Sequence, residues 1–193
     1  PAVAPTALHG FLATLPALPL LVHTWYDDLP QRALAGRQDW GALQGVSQAE
    51  HAGAWCHAFD AAGNLVPVET AAVWSTLLYQ PLGSVAPAGN FLVSDSDFVE
   101  VMTEIDIQTP IPAEVQRRRA GRQFLFLGCR FDDQLTRTFA RQIMKRSSDH
   151  HYAVLTDAPT RNEARFLAQQ NIEVLALPLA EFTAALCAPV PEA

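Results

Sequence analysis

The chain has 193 residues, of which 49% are hydrophobic and 17% charged, and it carries a formal net charge of −7 at pH 7. This length suits one domain with a core of its own, and the composition excludes a disordered chain, which combines low hydrophobicity with high charge. The negative charge argues against nucleic acid and anionic membranes as partners, because both bind cationic surfaces. We therefore expect a small molecule or another protein as the partner.

The cysteines and the longest apolar stretch bear on the compartment. Cys56, Cys129 and Cys187 are an odd number at wide spacings, which favours reduced thiols over a disulfide framework. The apolar stretch at residues 8–22 is shorter than the roughly 18 to 20 residues of a membrane span, and two prolines interrupt it. We predict a cytoplasmic protein without a membrane segment.

The first part of the chain predicts a short helix and then a strand-turn-helix unit. Residues 6–15 fit a helix that a proline stops, and residues 19–24 fit a buried strand that enters a polar turn. Asp27 is the expected N-cap of the next helix. Residues 37–50 are rich in Gly and Gln and have no clear period, so we predict a loop there.

A hairpin is predicted next. Residues 54–59 and 65–68 flank a segment of turn-forming residues at 60–64, which is typical of two antiparallel strands and their connection. We interpret residues 37–72 as an insertion or hairpin region within a single domain of residues 1–193.

The pattern then returns to single strands and helices. Residues 73–79 predict a strand that ends in a turn with proline and glycine. Residues 91–93 predict a short strand, and residues 94–97 offer several N-caps for a helix that reaches about residue 105. Residues 113–120 predict a further helix.

The stretch from residue 122 to residue 145 has the clearest strand-turn-helix pattern. Residues 124–127 are apolar without alternation, as in a strand covered on both faces of a parallel sheet. Gly128 ends the strand, and Asp132 or Asp133 can cap the helix that follows. The turn after such a strand faces the ligand crevice in open α/β sheets, so we expect function near Gly128.

Strands and helices alternate to the end of the chain. Residues 151–155 and 172–177 predict strands, Thr160 and Glu163 form a capping box for the helix between them, and a last helix begins near Leu179. We predict an α/β fold with an open, mostly parallel, Rossmann-like sheet, helices on both faces and a small insertion.

Two specific expectations follow from this fold. We expect Phe126 and Leu127 to be deeply buried. We also expect one sheet to contain four of the strands, at residues 20–23, 124–127, 152–155 and 172–175.

Three groups of residues invite a site but favour a simpler interpretation. His51, Cys56 and His57 have no usual zinc-ligand spacing, and neighbours on a strand point to opposite faces, so we expect no metal. The run of three arginines that ends at Arg119 spreads over about 200 degrees of a helix, which favours a solvated helix end over a phosphate site. Cys129 has no histidine placed to act as its base, so we favour a small turn residue over a nucleophile.

Nucleotide motifs of the common kinds do not occur in the sequence. Neither G-x-G-x-x-G nor G-x-x-x-x-G-K-S/T is present, so a self-contained Rossmann or P-loop site is not predicted.

Four segments, taken in order, resemble motifs of the sirtuin family, and more closely those of its bacterial sirtuin-like branch of NAD-cleaving domains. Residues 21–29 resemble I-V-T-T-N-Y-D-D-L, and residues 79–84 resemble Y-K-L-H-G-S. Residues 91–98 resemble L-V-L-T-x-x-D-Y, and residues 124–133 resemble L-L-F-L-G-Y-S-F-x-D, the most specific match. The resemblance covers about residues 19–186 and implies a sirtuin-like sheet with NAD as the cofactor.

The resemblance also implies which residues would face that cofactor. They lie in three of the four segments. The implied cofactor-binding residues are Thr24, Trp25, Tyr26, Asp27, Leu82, Gly83, Ser84, Gly128, Cys129 and Arg130.

The sequence departs from the family's pattern at its catalytic positions. Trp25 stands where the family has an asparagine that orients NAD and water, and Leu82 stands where it has a general-base histidine. Neither side chain accepts a proton. The family's opening strand and its glycine-rich G-A-G loop are not found before Pro5.

Three functions are compatible with this pattern. We favour a catalytically degenerate sirtuin-like domain that binds an NAD-like nucleotide or a protein partner and has no catalytic residue. An active NAD glycohydrolase or deacylase would have to use Tyr26, Asp27 and Ser84. An oligomeric scaffold, such as a homo-oligomer whose apolar crevice takes a partner segment, is the third alternative.

Overall fold

A computed structural model describes residues 3–16, 18–46, 55–92 and 111–188. The chain divides into two compact units, Pro1–Arg118 and Arg119–Ala193. The helix predicted to start at residues 94–97 lies outside the described residues. In the described part of the chain, no helix is both long and apolar enough to cross a membrane.

The first unit contains a five-stranded sheet with short helices. Its elements, in chain order, are α1 (Ala7–Thr14), β1 (Leu20–Val22), α2 (Leu29–Leu34), β2 (Trp40–Gly45), β3 (Cys56–Asp60), β4 (Leu65–Val66), a 3-10 helix (Val68–Val73), β5 (Thr76–Gln80), β6 (Gly83–Ser84), β7 (Asn90–Phe91) and α3 (Ala113–Arg119). The strand order of the main sheet is β1-β5-β2-β3-β4. β1, β5 and β2 are parallel, β3 and β4 form the predicted antiparallel hairpin, and β6 pairs with β7 separately.

The predicted loop at residues 37–50 is wrong, because β2 lies at the centre of this sheet with all six residues buried. Its glycines misled the interpretation. A Cβ on Gly41 would lie 2.3 Å from the Trp74 ring, and a Cβ on Gly45 would lie 2.1 Å from the carbonyl oxygen of Pro81. Both positions need glycine for close packing inside a sheet, not for a turn.

The helix that follows β1 begins one residue later than predicted. Asp28, not Asp27, is the N-cap of α2. Asp27 still supports this helix start, because its Oδ1 atom accepts the backbone N–H of Leu29 at 2.9 Å.

The solvated helix end predicted at the three arginines is also wrong for two of them. Arg118 is buried, with 6% of its surface exposed. Its guanidinium donates to the carbonyl oxygens of Pro19, Ala71 and Trp74 at 2.5 to 2.9 Å, and to the Glu114 carboxylate at 2.6 Å. The planar fork of five N–H donors matches this set of oxygens, so Arg118 ties α3 to the starts of β1 and β5.

Arg119, the first residue of the second unit, has a similar structural role there. It is buried and donates to the carbonyl oxygens of Gln142 and Ile143, near the end of the longest helix in that unit. Both arginines therefore satisfy backbone oxygens and do not form a phosphate site.

The second unit alternates strands and helices as predicted. Its elements are β8 (Leu125–Phe126), α4 (Gln134–Met144), β9 (His151–Leu155), α5 (Arg161–Gln169), β10 (Ile172–Ala176) and α6 (Leu179–Cys187). They form a parallel sheet in the order β10-β9-β8. Asp133 caps α4 by accepting the Thr136 N–H, and Thr160 and Glu163 form the predicted capping box of α5. The α/β fold of mostly parallel strands is confirmed.

Two details of the sheet prediction are wrong. β1 pairs within the five-stranded sheet, whereas β8, β9 and β10 pair with one another, so the four strands do not share one sheet. Phe126 and Leu127 are only half-buried, and Leu125 is 44% exposed. The reason is that β8 has a single pairing neighbour, β9, among the described strands. Phe131, fully buried between the rings of Phe126 and Phe166, holds the core position instead.

Replacing Arg118 with alanine should destabilise the protein by about 3 to 5 kcal/mol, because the carbonyl oxygens and Glu114 lose a buried partner. Arg117 binds the same carboxylate at 2.6 Å, but its side chain is 65% exposed. Arg117→Ala is thus a matched control and should cost far less, because water screens an exposed ion pair. Urea unfolding measures both variants, and equal losses would contradict the structural role of Arg118.

Phe131→Ala should lower the free energy of unfolding by roughly 3 to 5 kcal/mol, the range for removing a buried aromatic ring. Leu125→Ala, on the strand that was predicted to be covered on both faces, should cost less than about 1 kcal/mol because that residue is 44% exposed. Thermal and urea unfolding of the two variants would rank them. A larger loss for Leu125→Ala than for Phe131→Ala would contradict the assignment of Phe131 to the core.

Candidate functional site

The carboxyl ends of β1, β5 and β2 meet at one edge of the five-stranded sheet. Gln44 and Gln80 are register partners at the ends of β2 and β5, and Val22 of β1 is paired with Tyr79. His23 continues β1, and its N–H donates to the Tyr79 carbonyl oxygen at 2.9 Å. Ligands of open α/β sheets bind outside this end of the strands, which makes the polar side chains at this edge the candidate site.

Three glutamines are hydrogen-bonded to one another at this edge: Gln44 and Gln80, which are buried, and Gln31, which is half-buried. We call them the glutamine cluster. The Gln80 Oε1 atom accepts the Nε2 groups of Gln31 at 2.7 Å and Gln44 at 2.8 Å. Both Nε2 groups also donate to the Ala86 carbonyl oxygen. Gln44 and Gln80 have no exposed surface, so these bonds are shielded from water and fix the positions of the strand ends.

The turn of residues 23–28 is held against this cluster. The carbonyl oxygen of Tyr26 accepts the Val85 N–H at 2.8 Å and the Ser84 hydroxyl at 3.4 Å. The carbonyl oxygen of Asp27 accepts the Ser84 hydroxyl and the Gln80 amide, each at 3.4 Å. Ser84 is fully buried, so its hydroxyl supports the turn rather than facing a ligand.

His23 and Asp27 form a polar pair on this turn. The His23 Nε2 atom lies 3.7 Å from Asp27 Oδ1, and their side chains are 18% and 33% exposed. Burial lowers the pKa of His23, the Asp27 charge opposes that shift, and His9 of α1 reinforces it. The imidazole is therefore neutral at neutral pH and can accept a proton.

Trp25 lies on the same turn, with 63% of its surface exposed. Its ring centroid is 5.3 Å from that of Tyr26, which is in turn 5.4 Å from that of Phe91. Burial raises the pKa of the Tyr26 phenol, which is half-buried between the two rings. Thr24, next to Trp25, is exposed.

Leu82 and Gly83 follow β5 and complete the first group of predicted residues. Leu82 is half-buried, and its carbonyl oxygen accepts the Leu92 N–H at 3.0 Å. Gly83 has a φ of +82°, and a Cβ there would lie 2.3 Å from the Asn90 carbonyl oxygen, so the turn requires glycine. The structure thus brings the segments 24–27 and 82–84 together.

The remaining predicted residues lie in the second unit, after β8. Gly128 has a φ of +67°, as expected for a glycine that turns the chain. Arg130 donates to both oxygens of the fully buried Glu163 at 2.9 and 2.8 Å, and Arg130 holds the pKa of Glu163 at about 2. Burial raises the pKa of Cys129 to about 11, so its thiol is protonated and not nucleophilic at neutral pH.

Metal chemistry has no support among the described residues, where no group of three or more His, Cys, Asp or Glu side chains is placed to hold an ion. Cys56 and His57 are consecutive on β3, as the sequence suggested. Burial raises the pKa of the Cys56 thiol, which disfavours the thiolate that zinc binds. His51 lies outside the described residues.

Sequence reasoning missed His23 and the glutamine cluster. His23 carried a usable signal, since it is a titratable residue near the end of the strand predicted at residues 19–24, next to the polar turn. The glutamines carried a weaker signal in the sequence, because Gln44 lies in the segment predicted as a loop and its partner Gln80 is 36 residues away.

A family model for the SIR2-like domain matches residues 19–175, which is most of the chain. The chain belongs to this SIR2-like family. A search of curated proteins found no match. The family supports an NAD-related, sirtuin-like function for this SIR2-like domain.

The residues at the sheet edge fit part of such a nucleotide. The exposed hydroxyl of Thr24 and the carboxylate of Asp27 suit the hydroxyl groups of a ribose. The nearby Arg32 pairs with Asp28 and donates to the carbonyl oxygen of Val3. Among the described residues, the 23–28 turn offers no cation to a pyrophosphate.

The stability of this SIR2-like domain should fall as the pH drops below 6.5, the ordinary pKa of histidine. Burial lowers the pKa values of His9, His23 and His151 in the folded chain, so the unfolded chain binds these protons first. The loss should level off once the pH is below the folded pKa values. Urea unfolding at a series of pH values from roughly 7.5 down to roughly 5 measures this effect.

His23→Gln should make the fall smaller, because glutamine can bond at this position but does not titrate. Thr24→Ala, which removes no titratable group from the same turn, serves as the control and should keep the full pH dependence. An unchanged slope for His23→Gln would show that His23 titrates alike in both states.

Proposed function

We propose that this SIR2-like domain binds a nucleotide of the NAD type at the carboxyl edge of the five-stranded sheet and does not cleave it. The observation that carries the proposal is the pair of side chains at the positions that resemble the family's asparagine and histidine. Trp25 is exposed beside this edge, and Leu82 is half-buried in the turn after β5. The hydrogen bonds that hold the 23–28 turn are present, whereas the two side chains that would act on the ligand differ from those of the family.

The chemistry of the two side chains supports the absence of cleavage. An indole has one N–H donor and no acceptor, and a leucine has neither. Neither group can take a proton from a ribose hydroxyl or orient a water molecule. Because general acid-base help alone is typically worth about 100- to 10,000-fold, turnover by the family's usual route should be undetectable.

Binding is supported by how firmly the turn is held. Backbone oxygens of Tyr26 and Asp27 accept bonds from Ser84, Val85 and Gln80, which lie beyond β1 in the chain. A preorganised turn loses little conformational freedom when a ligand binds. NAD supplies the nicotinamide and adenine rings and the two riboses when bound, and this chain's residues would orient one nucleoside part.

Calorimetric titration with NAD, paired with an assay for free nicotinamide, tests this proposal. We expect a binding isotherm and no nicotinamide above a buffer blank. No binding at all would reject the nucleotide function and leave a protein partner or an oligomeric scaffold.

A second candidate, NAD hydrolysis, is favoured by the pair of His23 and Asp27. His23 is neutral at neutral pH and could accept a proton from an attacking water, while Asp27, 3.7 Å away, could orient the imidazole. Nicotinamide release that is lost in His23→Gln and kept in His150→Gln, whose histidine pairs with Glu173 in the second unit, would establish this candidate. It would also reject the non-cleaving function.

A further inference from the structure

Trp25 is a large apolar side chain that is exposed although its backbone is held in place. On one side of it, the His23 N–H donates to Tyr79, and on the other side the Tyr26 carbonyl oxygen accepts the Val85 N–H at 2.8 Å. The indole is 63% exposed between these two anchors. A fixed turn therefore presents the ring to solvent at the edge where the parallel strands end.

One side of the indole is backed by other aromatic rings. Trp25 and Tyr26 have centroids 5.3 Å apart at an interplanar angle of 43°, and Tyr26 and Phe91 follow at 5.4 Å and 46°. These are favourable tilted arrangements for aromatic pairs, and they restrict how far the indole can turn. The exposed remainder of the ring is a flat, polarizable surface of fixed orientation.

We propose that Trp25 is a stacking platform for the heteroaromatic ring of a nucleotide. An indole face stacks on a planar base largely regardless of which hydrogen-bond donors and acceptors that base carries. It also attracts cationic rings. Thr24, His23 and Asp27 lie on the same turn and carry a hydroxyl, an imidazole and a carboxylate. Such polar groups suit the ribose that is attached to the stacked ring.

The surroundings favour a ring over a protein partner. Among the residues that the structure describes, Val85, which is 50% exposed, is the exposed large apolar residue whose backbone is bonded to this turn. A docking surface for a protein needs a wide, continuous apolar area. An indole beside polar side chains instead matches a ligand of its own size. This inference rests on the proposed nucleotide binding, and it assigns the binding energy to a residue that the family's pattern does not have.

Calorimetry and tryptophan fluorescence together test the platform in the full chain. The probes are NAD, adenosine monophosphate, nicotinamide mononucleotide and, as a ring-free reference, ribose 5-phosphate. Trp25→Leu removes the aromatic face and keeps an apolar side chain, Trp25→Phe keeps an aromatic face, and Trp55→Phe removes a different tryptophan as the control. Thermal unfolding checks that each variant is folded.

NAD should quench part of the tryptophan emission in the unaltered protein and in Trp55→Phe, and the quenching should disappear in both Trp25 variants. Trp25→Leu should bind NAD roughly 5- to 150-fold more weakly, as expected for the loss of one stacked base. Trp25→Phe should retain most of the affinity. The mononucleotide that shows the same loss in Trp25→Leu identifies the stacked ring as adenine or nicotinamide.

Other results would overturn the inference in distinguishable ways. NAD binding of equal strength in the unaltered protein and in Trp25→Leu would reject the platform and keep the proposed function. An equal loss of ribose 5-phosphate binding in Trp25→Leu would reject stacking in favour of a distorted turn. No calorimetric binding of NAD to the unaltered protein would reject both, and a Trp25-dependent protein complex would then replace the nucleotide.

Discussion

The site depends on the buried side-chain amide of Gln80. A fully buried amide must find partners, because an unpaired polar group in a protein interior costs about 1 to 3 kcal/mol. Gln80 meets this demand by accepting bonds from Gln31 on α2 and Gln44 on β2, and by donating to the Asp27 carbonyl oxygen. One side chain at the end of β5 therefore connects a helix, a neighbouring strand and the 23–28 turn.

The Oε1 atoms of Gln31 and Gln44 are buried and have no partner among the described residues. The cluster thus holds the turn but is not itself fully satisfied, which is common where a structure is adapted to a site and not only to stability.

The alternating second unit was predictable from sequence, and the centre of the first sheet was not. Local signals define the second unit, such as the capping box of Thr160 and Glu163 and the cap at Asp133, because each acts within three residues. β2 has no such signal. Gly41 is required by the Trp74 ring and Gly45 by the Pro81 carbonyl oxygen. Both partners lie far along the chain from β2. Composition alone makes such a strand look like a loop. Arg118 was misjudged for the same reason, because its carbonyl partners lie 43 to 99 residues away in sequence.

For the candidate site, sequence reasoning found the segments but not the chemistry. Positions 24–27 and 82–84 were grouped through their resemblance to a family, and the structure places them side by side. Their roles differ from what residue type suggests. Ser84 was predicted to face the cofactor, but its hydroxyl donates to backbone carbonyl oxygens. His23 was not predicted as a site residue, but its titratable ring lies at the sheet edge. The residue type determines which hydrogen bonds a side chain can make. Only the fold shows which of these bonds are made within the protein.

The same distinction separates the two turns that resemble the family's ligand-binding segments. In the second unit, the charge of Arg130 is matched by Glu163, whose carboxylate also accepts the Phe131 N–H at 3.1 Å. That turn is stabilised by its own charges and does not depend on an anion. In the first unit, the turn is held through the carbonyl oxygens of Tyr26 and Asp27 and through Asp27 Oδ1, which accepts the Leu29 N–H. The side chains at 24 and 25 stay exposed. A turn whose shape is fixed through its backbone can change its side chains without changing its shape. The 23–28 turn can thus carry Trp25, at the position that resembles the family's asparagine, while its bonds to Ser84 and Val85 keep the turn in place.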